Sequence, residues 1–306
     1  MKMPADINRP GGPGNELYTM EEEVLEIVRD SGRCGLNSSV EEIRSRLAPQ
    51  NAVAENAFAD AVDALKRKGR ILVEKGEIAL RQQSVVTGDA IDRRKRAEDY
   101  MSFGTAFLEN VLPSVPGVIM AGICGSVSYG SALPGDDVDI VLVCRNGSLW
   151  TAMKKVLLAA RALRKRDAAR PVICLSYCAD DSAFREEAGS HRTRLYASDF
   201  LNIRVVAGRA YYQNVLASSG WMRSCYPHTY AARAAEAGGS EAQVGQQSTV
   251  HDRLDYLLVG NYLNVMAGMR NIIFRLRGKG DRAFTARIER DRCVYASDRW
   301  GRLEKG

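Results

Sequence analysis

Apolar residues recur along the first part of this chain at helical spacing. Val24, Leu25 and Val28 fall on one face of a segment opening at Thr19, and Glu22 completes a hydroxyl-and-carboxylate capping box there, so a helix is expected to about Ser31. Ser39 has the side chain to cap a second helix, Val40 to Leu47, with Glu41 and Glu42 in the first turn, where the helix dipole favours anions. Phe58, Val62 and Leu65 form a single stripe on a third, Ala54 to Lys68. The period then shortens. Ile71-Leu72-Val73-Glu74 and Glu77-Ile78-Ala79-Leu80 flank Lys75-Gly76, a pattern that predicts a β-hairpin.

Three short helices followed by a hairpin resemble a winged helix-turn-helix domain, here spanning residues 18–85. The resemblance implies that the third helix reads a nucleic-acid groove and that the hairpin is the wing. Lys66, Arg67, Lys68, Arg70 and Lys75 cluster where helix and wing meet, which suits phosphate contact but is equally what a helix C-terminus favours. Nucleic-acid binding and a plain protein-binding role both stay open. Gln82 to Thr87 reads as a linker. Ile91 to about Val111 reads as a helix whose opening run, Asp92-Arg93-Arg94-Lys95-Arg96, usually means a solvated face, with phosphate tracking as the minority reading.

The chemistry concentrates further on. Val118-Ile119-Met120-Ala121-Gly122-Ile123-Cys124 is apolar throughout, as a strand covered on both faces would be, and it runs directly into Gly125-Ser126. A second strand begins at Asp137-Val138-Asp139 and continues through Ile140 to Val143. Residues two apart on a strand share a face, so Asp137 and Asp139 project side by side. Two adjacent carboxylates repel each other, and a hard divalent cation relieves that repulsion. Gly125 permits close backbone approach, while Ser126 offers a hydroxyl and an amide at a helix start, a ready phosphate site.

Gly125-Ser126 after an apolar strand, then Tyr129-Gly130-Ser131, then Asp137-Val138-Asp139 opening a second strand, resembles the signature of the DNA polymerase β-like nucleotidyltransferase superfamily over about residues 115–180. The resemblance implies an α+β fold, a small mixed sheet flanked by helices, and transfer of a nucleoside monophosphate from a nucleoside triphosphate to an acceptor hydroxyl on RNA, protein or a small molecule. It implies that Asp137 and Asp139 ligate Mg²⁺, with Mn²⁺ as a substitute, and that Gly125 and Ser126 hold the β- and γ-phosphates. Members carry a third carboxylate on the following strand. Here Trp150 to Arg166 reads as a helix and the next strand, Pro171 to Cys178, holds no acid, so either Asp167, Asp180, Asp181 or Asp199 substitutes, the substrate contributes, or the site binds nucleotide without efficient catalysis. The alternative is a winged-helix DNA-binding regulator whose catalytically weak transferase fold senses a nucleotide.

The transferase domain is expected over 90–225, with strand and helix material from Leu195 to Trp221, and a helical C-terminal region over 226–306. Residues 231–249 read as a loop or weak helix. From His251 to Leu276 a long amphipathic helix places Leu254, Leu257, Leu258, Tyr262, Val265 and Met269 on its apolar side, most simply for core packing.

Composition alters little. Of 306 residues, 45% are hydrophobic and 26% charged, as in folded proteins rather than disordered or collagen-like ones. A net charge of +6 permits an anionic partner without demanding one. There is no apolar run long enough for a membrane helix, and residues 1–17 lack a signal-peptide core and read as a frayed leader, so a soluble cytoplasmic protein is expected. Seven cysteines without a C-x-x-C pair read as reduced thiols, and His191, His228 and His251 are too scattered for a histidine metal centre or a Ser-His-Asp triad. Arg223 and His228 have the spacing of a helical ribonuclease pair, but Pro227 between them breaks the helix such a pair requires. Lys154, Lys155, Arg161, Arg164, Lys165 and Arg166 lie along the connecting helix, where some could hold a triphosphate or an acidic acceptor and a solvated face is the commoner explanation, and nothing specifies the oligomeric state.

Overall fold

The computed structural model describes residues 19–33, 37–47, 55–74, 76–81, 87–236, 252–276 and 284–297. The expected leader, Cys34, Lys75, most of the linker, the stretch from 237 to His251 and Trp300 lie outside the described residues. The described part is mixed α and β with two sheets. None of its helices is long and apolar enough to cross a membrane.

The first sheet belongs to the N-terminal unit. Helix α1 (Met20–Arg33) opens on the expected box, Glu22 N donating to Thr19 Oγ1 at 3.3 Å and Thr19 N to Glu22 Oε2 at 3.0 Å. Helix α2 (Val40–Arg46) opens the same way, with Glu42 N donating to Ser39 Oγ at 3.1 Å and Ser39 N to Glu42 Oε2 at 2.9 Å. Helix α3 (Glu55–Arg67) and strands β2 (Ile71–Glu74) and β3 (Glu77–Leu80) follow, and a two-residue strand β1 (Ser38–Ser39) pairs with β3. All pairings are antiparallel, in the order β1-β3-β2. Val28, Ile43, Phe58, Leu65 and Ile78 close the core between them.

Helix α4 (Thr87–Val111) begins four residues before the expected Ile91. Its basic run is only partly a solvated face. Arg94 reaches Glu42 at 3.5 Å and Glu77 at 3.7 Å, tying α4 to the N-terminal unit, and Arg96 Nη1 donates to Ala132 O at 3.0 Å. Charge read as surface is here a joint between two regions.

The second sheet has six strands in the order β7-β4-β5-β6-β9-β8. These are β4 (Val118–Cys124), β5 (Val138–Cys144), β6 (Ile173–Asp180), β7 (Arg204–Ala207), β8 (Phe284–Ile288) and β9 (Arg292–Ser297). Only β5 and β6 run parallel, as their crossover helix requires. Val138, Ile140 and Leu142 pack on one face with Leu108, Trp150 and Met153, while Val141 and Val143 pack on the other with Phe184, Phe200 and Tyr212. Helices cover both faces, which is why β4 and β5 are apolar without alternation.

The remaining helices are α5 (Gly125–Ser128), α6 (Leu149–Arg166), α7 (Asp181–Ser190), α8 (Arg194–Asn202), α9 (Arg209–Ser218), α10 (Met222–Cys225) and α11 (Pro227–Ala235). Pro227 starts α11 and separates it from α10, so Arg223 and His228 do not share a helix. Helix α12 (Asp252–Asp255) passes through a π-helical segment, Tyr256–Gly260, into α13 (Asn261–Leu276).

Two expectations for the C-terminal region are corrected. It is not helical throughout, because β8 and β9 form a hairpin that extends the main sheet, pairing Cys293 opposite Cys178. These strands mix Thr285, Arg287 and Arg292 with apolar residues, and a distant partner, β6, supplies the pairing that local pattern does not reveal. The apolar side of α12–α13 is also not core: Leu258 is 61% exposed and Val265 60%. Its attachment combines apolar contacts from Val259, Leu263 and Tyr256, the last against the Trp150 ring at 5.0 Å, with polar ones. Asp252 Oδ1 accepts from Trp150 N at 2.7 Å and Thr151 N at 3.0 Å, capping α6, while Asp255 accepts from Thr151 Oγ1 at 2.8 Å and pairs with Lys154.

Candidate active site

The site grows from the turn joining β4 to α5. Gly125 has φ +67°, and a Cβ there would run into the carboxylate of Asp139, so both the backbone and the neighbouring acid demand glycine. The loop behind it is closed by Asp136, whose Oδ2 accepts from Ser126 Oγ at 2.8 Å and from Leu133 N at 2.9 Å. That closure delivers Asp137 and Asp139 at the start of β5, with Asp139 paired in register opposite Cys124 of β4.

Asp139 is half-buried. Ser176 Oγ donates to its Oδ1 at 3.0 Å. The β5–β6 register slips between Ile140 and Val141, opposite Leu175 and Tyr177, and this irregularity aims Ser176 at the acid. Burial, with Asp137 and Asp136 adding repulsion against the Ser176 hydrogen bond, pushes the Asp139 carboxyl up to about 6. Burial also raises Asp137, offset in part by the positive charges of Arg270 and Arg164. Neither acid forms an ion pair with a Lys or Arg among the described residues.

Both face a cavity of about 1090 Å³ that reaches from the β4–α5 turn to α13. Of the four acids considered as a third carboxylate, only Asp199 lines it. Asp167 pairs with Arg170 at 2.9 Å, Asp180 caps α7 through Ala183 N at 2.9 Å, and Asp181 is held by Arg185 and Tyr211, each at 2.7 Å. Asp199, on α8, accepts from Tyr129 OH at 2.7 Å, and burial pushes its carboxyl up to about 6. Asp139 and Asp199 both act electrostatically on the Cys124 thiol, which burial first raises. On the far wall stand Arg161, stacked over Tyr262 at 4.8 Å, and Arg270.

Gly125, Asp137 and Asp139 therefore come together as expected, while Ser126 does not line the cavity and commits its hydroxyl to Asp136. Ser176, Tyr129, Asp199, Arg161 and Arg270 complete the site. Of these, Tyr129 lies inside the recognisable motif, Asp199 is one of the acids expected to substitute for a third carboxylate, and Arg161 belongs to the basic face of the connecting helix. Ser176 and Arg270 carried no local signal, since only the slipped strand register and the packing of α13 bring them in.

Two hard carboxylate oxygen donors that repel one another and, among the described residues, make no direct ion pair fit Mg²⁺ or Mn²⁺. Among the described residues no group of three or more His, Cys, Asp or Glu side chains converges as a metal site, so further oxygens would come from substrate and water. The N-terminal unit is less suited to an anion. The exposed face of α3 carries Asp60 and Asp63 beside Lys66 and Arg67, and Lys68 pairs with Glu21 at 2.6 Å. Comparison with protein-family models, with curated proteins and with solved structures returned no match.

Proposed function

We propose that this chain is a divalent-metal-dependent nucleotidyltransferase of the DNA polymerase β-like type, moving a nucleoside monophosphate from a nucleoside triphosphate to an acceptor hydroxyl. The observation that carries the reading is the juxtaposition of Asp137 and Asp139 with the positive-φ turn at Gly125, on the floor of a large cavity. Asp137 and Asp139 would hold Mg²⁺, which when bound neutralises phosphate charge and acidifies a coordinated hydroxyl. Gly125 lets phosphate oxygens approach the backbone. Ser126 acts through Asp136, fixing the loop that positions the two acids, with its hydroxyl committed to that loop. Arg270 and Arg161 supply the positive wall of the cavity for the triphosphate. The N-terminal unit is a winged helix in this reading, and the acids on α3 favour a protein partner over a DNA groove.

A second reading has one observation in its favour. Where an acid is expected on β6 stands Ser176, which would suit a nucleotide sensor with a DNA-binding winged helix. Incubation with each labelled triphosphate, Mg²⁺ or Mn²⁺, and cell extract separates the two. Label transfer lost in both Asp137→Ala and Asp139→Ala supports the enzyme, whereas triphosphate binding without pyrophosphate release supports the sensor.

A further inference from the structure

The cavity has two walls of opposite character. Its arginines, Arg161 and Arg270, stand on α6 and α13. The wall built from β6, α7 and α8 contributes no Lys or Arg to the lining; it offers Glu187 and Asp199, with the rings of Tyr177, Phe184, Tyr196 and Phe200. The rings brace one another, Tyr196 against Phe200 at 6.2 Å and Phe184 against Tyr177 at 5.9 Å, so their positions are set by packing.

Asp199 has a single hydrogen-bond donor, Tyr129 OH on Oδ1, and Oδ2 accepts nothing among the described residues. Glu187 takes Tyr177 OH at 2.6 Å, with Arg292 at 3.9 Å. Glu187 thus has a cation in Arg292, and His191 lines this wall beside Tyr196 at 5.4 Å. Asp199 makes no ion pair with a Lys or Arg among the described residues, and a carboxylate so placed among aromatic rings is costly to charge unless a ligand brings the countercharge. An ammonium group meets both features of the wall, as donor to Asp199 Oδ2 and as a cation against the ring of Tyr196. Phosphate is repelled there and directed to the arginines.

We infer that the wall formed by Tyr177, Glu187, Tyr196 and Asp199 binds an organic ammonium ion, so that the acceptor is a small cationic amine bearing a hydroxyl rather than a phosphate-rich nucleic acid. The acceptor role rests on the transferase reading; the binding site does not. The test is calorimetric titration of the full chain, without nucleotide, using tyramine and spermidine as probes and tyrosol as the neutral counterpart of tyramine. At least one amine is expected to bind, tyrosol to bind roughly tenfold or more weakly than tyramine, and Asp199→Asn to weaken amine binding by roughly tenfold, as expected for loss of a charge-assisted hydrogen bond. Failure of both amines to bind, equal affinity for tyramine and tyrosol, or unchanged affinity in a folded Asp199→Asn variant would overturn the inference. A chain that binds amine yet transfers no label defeats the transferase reading alone.

Discussion

Acidic side chains are drawn out of water in two regions of this molecule, and the two regions treat them oppositely. At the joint between α6 and α12, every charge is answered: Asp252 takes two backbone amides of α6, and Asp255 takes the Thr151 hydroxyl and Lys154. In the cavity, Asp137, Asp139 and Asp199 have between them a serine and a tyrosine hydroxyl and no ion pair among the described residues. Satisfied buried charge is scaffold. Partly desolvated charge without an ion pair costs stability, and such groups concentrate at ligand sites.

The comparison makes predictions of opposite sign. Asp255→Ala removes the partner of Lys154 and of Thr151 and should destabilise the chain most, by about 2–3 kcal/mol in chemical denaturation. Asp199→Asn should stabilise it. The Asp199 carboxyl titrates near 4 when unfolded and at about 6 when folded, so the folded state holds its proton more tightly and loses relative stability as pH rises from 4 through 6. The asparagine variant avoids that loss, so its advantage, on the order of 1–3 kcal/mol, should be full above pH 7 and absent near pH 4 in thermal melts. Asp137→Asn should stabilise in the same direction but by less than Asp199→Asn, because Arg270 and Arg164 already offset its burial. A loss of stability in both cavity variants at neutral pH would dissolve the distinction between the two regions.

Local pattern carried much of this architecture. Thr19 with Glu22 and Ser39 with Glu42 marked helix starts because capping is an interaction within one turn. The glycine turn and the two acids were legible because both depend on neighbours a few residues away. What depended on distant neighbours was not. Asp199 and Asp181 look alike in sequence, and only the packing of α8 against Tyr129 sends one to the cavity while Arg185 and Tyr211 retain the other. The α13 stripe shows the same limit from another direction. Spacing put Tyr262, Val265 and Met269 on one apolar side, but periodicity says nothing about what covers a helix, and here Tyr262 and Met269 border the cavity while Val265 is exposed and does not line it.

The most direct test of the central claim is Mn²⁺ binding followed by electron paramagnetic resonance, with and without ATP. The account predicts a bound-ion signal that tightens with ATP, is lost in Asp137→Asn and in Asp139→Asn, and survives in Asp199→Asn. Mn²⁺ binding that persists when both Asp137 and Asp139 are replaced, or that never responds to ATP, would contradict it.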